Sequence, residues 1–374
     1  MFFKSTAVLF LAAAAFGAET IPAPTGVVAH EWGTFTSLAG LDGDPVRWFA
    51  LGGPSRLPCF VHQPGVIYKS IAYSTVRMET PVIYFYAPRK TTMSVSVAFP
   101  AGRITEWYPQ ASGAPAAGID WKAVEVLPGE DLAFPSGQAG NHYYAARATD
   151  AAPLRVGKEQ EKLLFYRGVG DIEVPIRPKF AADGTIEIRN ASAHAVPAAI
   201  VFENRGGKIG FRTVHDLQDS ARFTPPELGA DLAALREDLA GELVRAGLYP
   251  REARAMLETW RDSWFEEGTR VFYITPRLTV DSVLPITVTP HPSTLSRVFV
   301  GRVEMMAPWA QRAIAAALEN GDIATLARFN RFLDPFLAQA GLLDRAHWSA
   351  TAQRYVMEAH VKMAQNQASE NCVK

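Results

Sequence analysis

An α+β fold with an antiparallel, β-rich, sandwich-like core follows from three features of the sequence. From Val27 to about Val214, short segments rich in branched and aromatic residues alternate with Pro and Gly clusters. A helical hairpin pattern interrupts them at about 224–267, after which strand character returns. From 307 to 374 the apolar spacing is helical, which gives a C-terminal helical cap.

Taken in order, the chain begins with the basic Met1-Phe-Phe-Lys4 and an apolar run from Ser5 to Phe16, shorter than the roughly 18 residues a membrane span needs. This pattern predicts a signal peptide over 1–17 with cleavage after Gly17, an exported mature protein in the periplasm or outside the cell, and no membrane span in that mature protein. The β-rich core is expected over 18–306. Met93-Ser-Val-Ser-Val-Ala-Phe99 alternates as a half-buried strand does. Val82–Tyr86, Ile104–Tyr108, Trp121–Leu127, His142–Thr149, Lys162–Tyr166 and Thr185–Arg189 carry the same residue types. Asn204-Arg-Gly-Gly207 lies between two apolar runs and reads as a hairpin turn.

Thr224-Pro-Pro-Glu227 combines an N-cap, first-turn prolines and a capping-box glutamate, so a helix is expected from there through Leu243. A second is expected over Pro250–Glu267, stopping at Gly268. Strands return at Thr269–Thr275, Val280–Thr289 and Arg297–Met306. Helices over Trp309–Glu319, Ile323–Ala340 and Ala346–Ala364 complete the chain.

The charges nearly balance, with 37 Lys and Arg against 38 Asp and Glu in 374 residues, so attraction to nucleic acid is not indicated. Cys59 and Cys372 either pair or remain thiols, and two cysteines alone cannot build a structural zinc site. His30-Glu31 lacks the second histidine of a zinc-protease motif, and no Gly-x-Ser-x-Gly elbow or phosphate-binding loop occurs. Cofactors are therefore left open.

Carboxylates and histidines beside aromatics remain. Glu31 precedes Trp32, Glu79 precedes Thr80-Pro81, Glu106 precedes Trp107, and His142 precedes Tyr143. Burial against rings disfavours a charged carboxylate and prepares a general acid, while rings stack on sugars. The candidate catalytic residues are Glu79, Glu106, His142 and Glu267. The candidate substrate-binding residues are His30, Trp32, Trp107, Tyr143 and Arg167. The competing structural reading pairs each glutamate with an arginine, Arg77, Arg103 and Arg147 being available. Glu266 and Glu267 are expected in the last turn of a helix, where a cation, a metal or Arg270 must offset the dipole. A metal site from His30, His142 and one carboxylate has no support from spacing.

The stretches His30–Ser37, Met78–Tyr86, Ile104–Pro109 and Trp260–Arg270 together resemble an uncharacterised family of exported bacterial proteins carrying a His-Glu-Trp-Gly-Thr-Phe-Thr-Ser motif. The resemblance covers most of the mature chain and implies a bacterial, exported protein. It carries no activity, cofactor or site residue with it. Two functions follow from the residues: an extracytoplasmic hydrolase acting on glycans by carboxylate acid/base chemistry, or a non-catalytic protein binding a glycan, another polymer or an envelope component.

Overall fold

The computed structural model describes residues 24–52, 57–64, 73–137 and 140–365. The expected signal peptide and Cys372 lie outside them, and with Cys372 the question of its pairing with Cys59.

An eight-stranded sheet organises the described chain. Across it the strands run Lys208–Leu217, Val196–Arg205, Gly268–Ile274, Thr294–Met305, Val28–Leu38, Val76–Tyr86, Leu164–Gly170 and Gly102–Tyr108. Val28–Leu38 and Thr294–Met305 pair in parallel, and the other neighbours are antiparallel. The central strand Val28–Leu38 is buried along its whole length. Its polar residues therefore have to find partners inside the protein, because an unpaired buried polar group costs several kcal/mol in an apolar setting, roughly 2–7.

A five-stranded sheet covers one face, in the order Ile286–Thr289, Thr91–Ala98, Gly118–Val126, Leu154–Val156, Glu159–Glu161. Met93, Val95, Val97 and Trp121 from it meet Phe35, Ile83, Phe85 and Tyr166 from the large sheet, which makes the sandwich. The opposite face carries the helices Leu232–Arg245 and Pro250–Thr259 and the 3-10 helix His142–Arg147. Leu235, Leu239, Met256 and Trp264 pack there against Trp32, Val82, Tyr84 and Phe272. The C-terminal helices Pro308–Asn320, Ile323–Arg328, Leu333–Gln339 and Ala350–Gln365 close one end over Leu38, Trp48 and Met306. The α+β, β-rich, sandwich-like core with a helical insertion and a C-terminal helical region is thus the observed fold. The hairpin turn falls at Gly206 and Gly207, whose φ of 61° and 80° suit glycine.

Five local expectations are corrected. The first inserted helix starts after Asp231, whose side chain accepts from the Ala233 amide, and not at Thr224. Pro225 and Pro226 precede a bridge between Ala230 and Ile209, which commits that segment to extended backbone. The second ends at Thr259, so Glu266 and Glu267 occupy a turn beyond the helix. His142–Thr149 holds a 3-10 helix in place of a strand, capped by the Asn141 side chain accepting from the Tyr143 amide. Val280–Thr289 divides into the helix Arg277–Val283 and the strand Ile286–Thr289. The expected Ile323–Ala340 helix is also broken, at Asn330, with φ of 44°.

Candidate functional site

Two β-bulges, on the strands that flank Leu164–Gly170, shape the site. Trp32 pairs with Val82 but Thr34 with Glu79, so Thr80 and Pro81 together oppose Gly33. A Cβ on Gly33 would stand 2.6 Å from the Phe299 ring, which fits the close approach there. Beside it, Arg167 pairs with Glu106 but Gly168 with Ile104, which leaves Thr105 as the extra residue. A bulge reverses the alternation of faces. Met78 accordingly faces the five-stranded sheet. Arg77 and Glu79 share the helix-side face with Val82 and Tyr84. Thr80 sits at φ 51°, a costly conformation for a β-branched residue.

On that face Glu79 is the hub. Its Oε1 accepts from Arg331 Nη1 at 2.6 Å and lies 3.3 Å from Arg77 Nε, and its Oε2 accepts from Thr36 Oγ1 at 2.9 Å. Burial alone raises the carboxyl pKa, but the Arg331 and Arg77 guanidiniums outweigh it and hold Glu79 far below the usual carboxylate range. Burial, with Arg167 close by, pushes Arg77 down to about 10. Arg331 arrives from the broken C-terminal helix, so the strained Asn330 is what delivers it.

These residues floor a cleft of about 90 Å³ whose walls include Thr80, His142, Tyr143, Trp260, Ser263, Glu266, Asn330 and Arg331. On a scale where one water takes about 10–15 Å³, that volume admits a small group and not a large ligand. Three guanidiniums, of Arg77, Arg167 and Arg331, meet the carboxylates of Glu79 and Glu266. Glu266 is held below its ordinary pKa: burial opposes the shift, and Arg302 and Arg270 override it.

Among the described residues, three donors on the cleft wall lack a partner. Arg167 is 7 % exposed, makes no hydrogen bond or ion pair among the described residues, and keeps a buried Nε unpaired. Its guanidinium carbon lies 5.9 Å from the Phe165 ring centre. Trp260 Nε1 and Ser263 Oγ are also buried and unpaired. Buried donors are normally satisfied, so three around one cavity mark a place for acceptor atoms.

Of the residues expected from sequence, Glu79, His142, Tyr143 and Arg167 line this cleft together. His142 Nε2 is 3.3 Å from Asp262 Oδ2, and burial raises the Tyr143 hydroxyl pKa well above its usual value. Glu106 is beside the cleft, the strand partner of Arg167, and accepts from Thr105 Oγ1 without lining it.

The others are elsewhere. Trp107 points to the opposite face of its strand, into the core against the five-stranded sheet, since neighbouring residues alternate. Glu267 accepts from the Gly206 amide at 3.1 Å and lies 3.5 Å from Arg328 Nη1. Arg270 bonds the main-chain carbonyls of Trp264, Glu266 and Glu267 and not their carboxylates. Trp32 is wholly buried core. His30 is 3 % exposed, and its Nδ1 lies 2.8 Å from Glu252 Oε2, while Glu252 also accepts from Tyr86 Oη and the Tyr249 amide. The His30–Ser37 stretch therefore works as a clamp: Glu31 accepts from Tyr166 Oη and Arg297 Nε, and Thr36 supports Glu79. His30 and His142 do not share a site, and no group of three metal-ligating side chains occurs among the described residues.

Sequence reasoning missed Trp260, Ser263 and Arg331 as site residues and saw Arg77 only as a brace. The Trp260–Arg270 stretch, with its polar Asp262-Ser263 pair between tryptophans, carried a signal for the first two. Arg331 carried none, being 252 residues from Glu79. No known family model matches this chain, and no curated protein matches it.

Proposed function

We propose that this protein binds an acidic sugar, holding its carboxylate or phosphate group in the Arg77–Arg167–Arg331 cleft. The observation that carries the reading is the buried Arg167 side chain, whose Nε has no partner among the described residues and which lines a cavity with two more arginines. A guanidinium offers a planar fork that matches a carboxylate or phosphate with two parallel hydrogen bonds. Trp260 Nε1 and Ser263 Oγ supply further donors, and the Trp260 ring adds apolar surface for a sugar. Glu79 stays ionised across the physiological range, so it has no proton to give as a general acid. That charge state favours binding over glycan cleavage by a carboxylate pair. The basic start and apolar run within 1–17 support a place outside the cytoplasm, periplasmic or extracellular.

Calorimetric titration with galacturonate, galactose and inorganic phosphate tests the reading. A charge-assisted hydrogen bond contributes about 1.5–3 kcal/mol, so galacturonate should bind at least tenfold more tightly than galactose. Phosphate competing with galacturonate would identify the oxyanion as the recognised group. Equal affinity for galactose and galacturonate, or no binding of either anion, would overturn it.

A further inference from the structure

A second basic surface lies along the same helix that ends at the cleft. It is a groove of about 610 Å³ whose charged border is Arg147, Lys162, Arg236, Arg251 and Arg254 against Glu237 and Glu258. The helix Pro250–Thr259 connects the two places: Arg251, Arg254 and Glu258 face the groove, while Thr259 and the following Trp260 face the cleft. The 3-10 helix packed beside it does the same, with His142 and Tyr143 in the cleft and Arg147 at the groove. From Arg251 to Thr259 the helix rises about 12 Å, at 1.5 Å per residue.

Several cations of the groove are already engaged. Arg147 binds Glu161 at 2.6 Å, Arg236 binds Glu258 at 3.0 Å, and Arg251 bonds Asp150. Two are not engaged by carboxylates. Arg254 makes no hydrogen bond or ion pair among the described residues, and the Lys162 ammonium donates only to the Thr149 carbonyl, at 2.8 Å. Half-burial lowers the Lys162 pKa, a cost that an arriving anion would relieve.

Resting on the acidic-sugar reading of the cleft, we propose that the ligand is an acidic polysaccharide chain, one charged unit seated at Arg167 and later units running along the groove to Lys162 and Arg254. Two linked subsites raise affinity over one because the second contact becomes intramolecular. The chain also meets more cations than a single unit does, so its binding weakens more steeply with salt.

Galacturonate and its hexamer, titrated against the full chain and against R254E, provide the test. In the parent protein the hexamer should bind at least tenfold more tightly than the monomer, within the 10²–10⁴ ceiling of linkage gains. Arg254 is exposed and has no side-chain partner among the described residues, so R254E should keep its melting temperature and monomer affinity while losing most of the hexamer gain. K162Q should act in the same direction. Monomer binding with no advantage for the hexamer, or an advantage that survives R254E, overturns the groove and leaves the cleft reading standing. Absence of monomer binding removes the cleft reading itself, and the chain proposal with it.

Discussion

Arg331 Nη1 reaches Glu79 Oε1 at 2.6 Å across 252 residues of sequence, joining the C-terminal helical region to the central sheet through an ion pair whose carboxylate is buried. Glu79 in turn offsets Arg77 and lies within the field of Arg167. Removing one partner of such a pair strands charge in the interior. Glu79→Gln should therefore lower unfolding free energy by about 3–5 kcal/mol in chemical denaturation. A loss below 1 kcal/mol would show the arginines to be solvated without it.

The same carboxylate sets a pH dependence. Its folded pKa lies far below the ordinary 4.5, so its contribution is complete above that value and is lost as pH falls through it toward the folded value. Between neutrality and pH 5 the difference in stability between the parent and Glu79→Gln should be constant, and it should shrink below about pH 4.5. A difference that shrank instead between pH 8 and 6 would point to a histidine as the responsible group.

The buried acceptor Glu252 serves His30, Tyr86 and the Tyr249 amide at once. Glu252→Ala leaves those three without it, each costing about 1–3 kcal/mol if nothing replaces the bond. Thermal unfolding should register a loss of at least about 3 kcal/mol. Galacturonate affinity of the folded fraction should remain unchanged, because His30 belongs to the clamp and not to the cleft.

At Gly301 a Cβ would meet the Tyr273 ring at 1.9 Å. Both residues are buried and pair across adjacent strands, where overpacking typically costs about 1–3 kcal/mol. Gly301→Ala should fall in or above that range, and pairing it with Tyr273→Leu should recover part of the loss in a double-mutant comparison.

The layers were legible in the sequence wherever periodicity was strong. Met93 to Phe99 alternates because one face is core, and the hairpin at Gly206-Gly207 announces itself by residues that tolerate positive φ. The central strand Val28–Leu38 was harder, since it is buried on both sides and its polar residues bind inward. That is why His30 and Trp32 looked like a site and serve as a clamp and a core. The expected helix at Thr224 failed because prolines that suit a first turn suit extended backbone equally well. Glu79, His142, Tyr143 and Arg167 were found because carboxylate, imidazole and guanidinium beside rings is a chemical pattern readable in one dimension. Trp107 was misplaced because simple alternation puts it on the other face from Glu106. Arg331 depends on a helix break at Asn330 and on the docking of a distant element, neither of which leaves a local trace.

Arg167 is the residue on which the binding account turns, and Arg167→Met separates binding from folding. The native guanidinium makes no hydrogen bond or ion pair among the described residues, so replacing it with an apolar side chain of similar length should leave the melting temperature unchanged or raise it. Measured in parallel by calorimetry, galacturonate affinity should fall at least tenfold. A variant that melts several degrees lower while binding galacturonate as tightly as the parent would contradict the account.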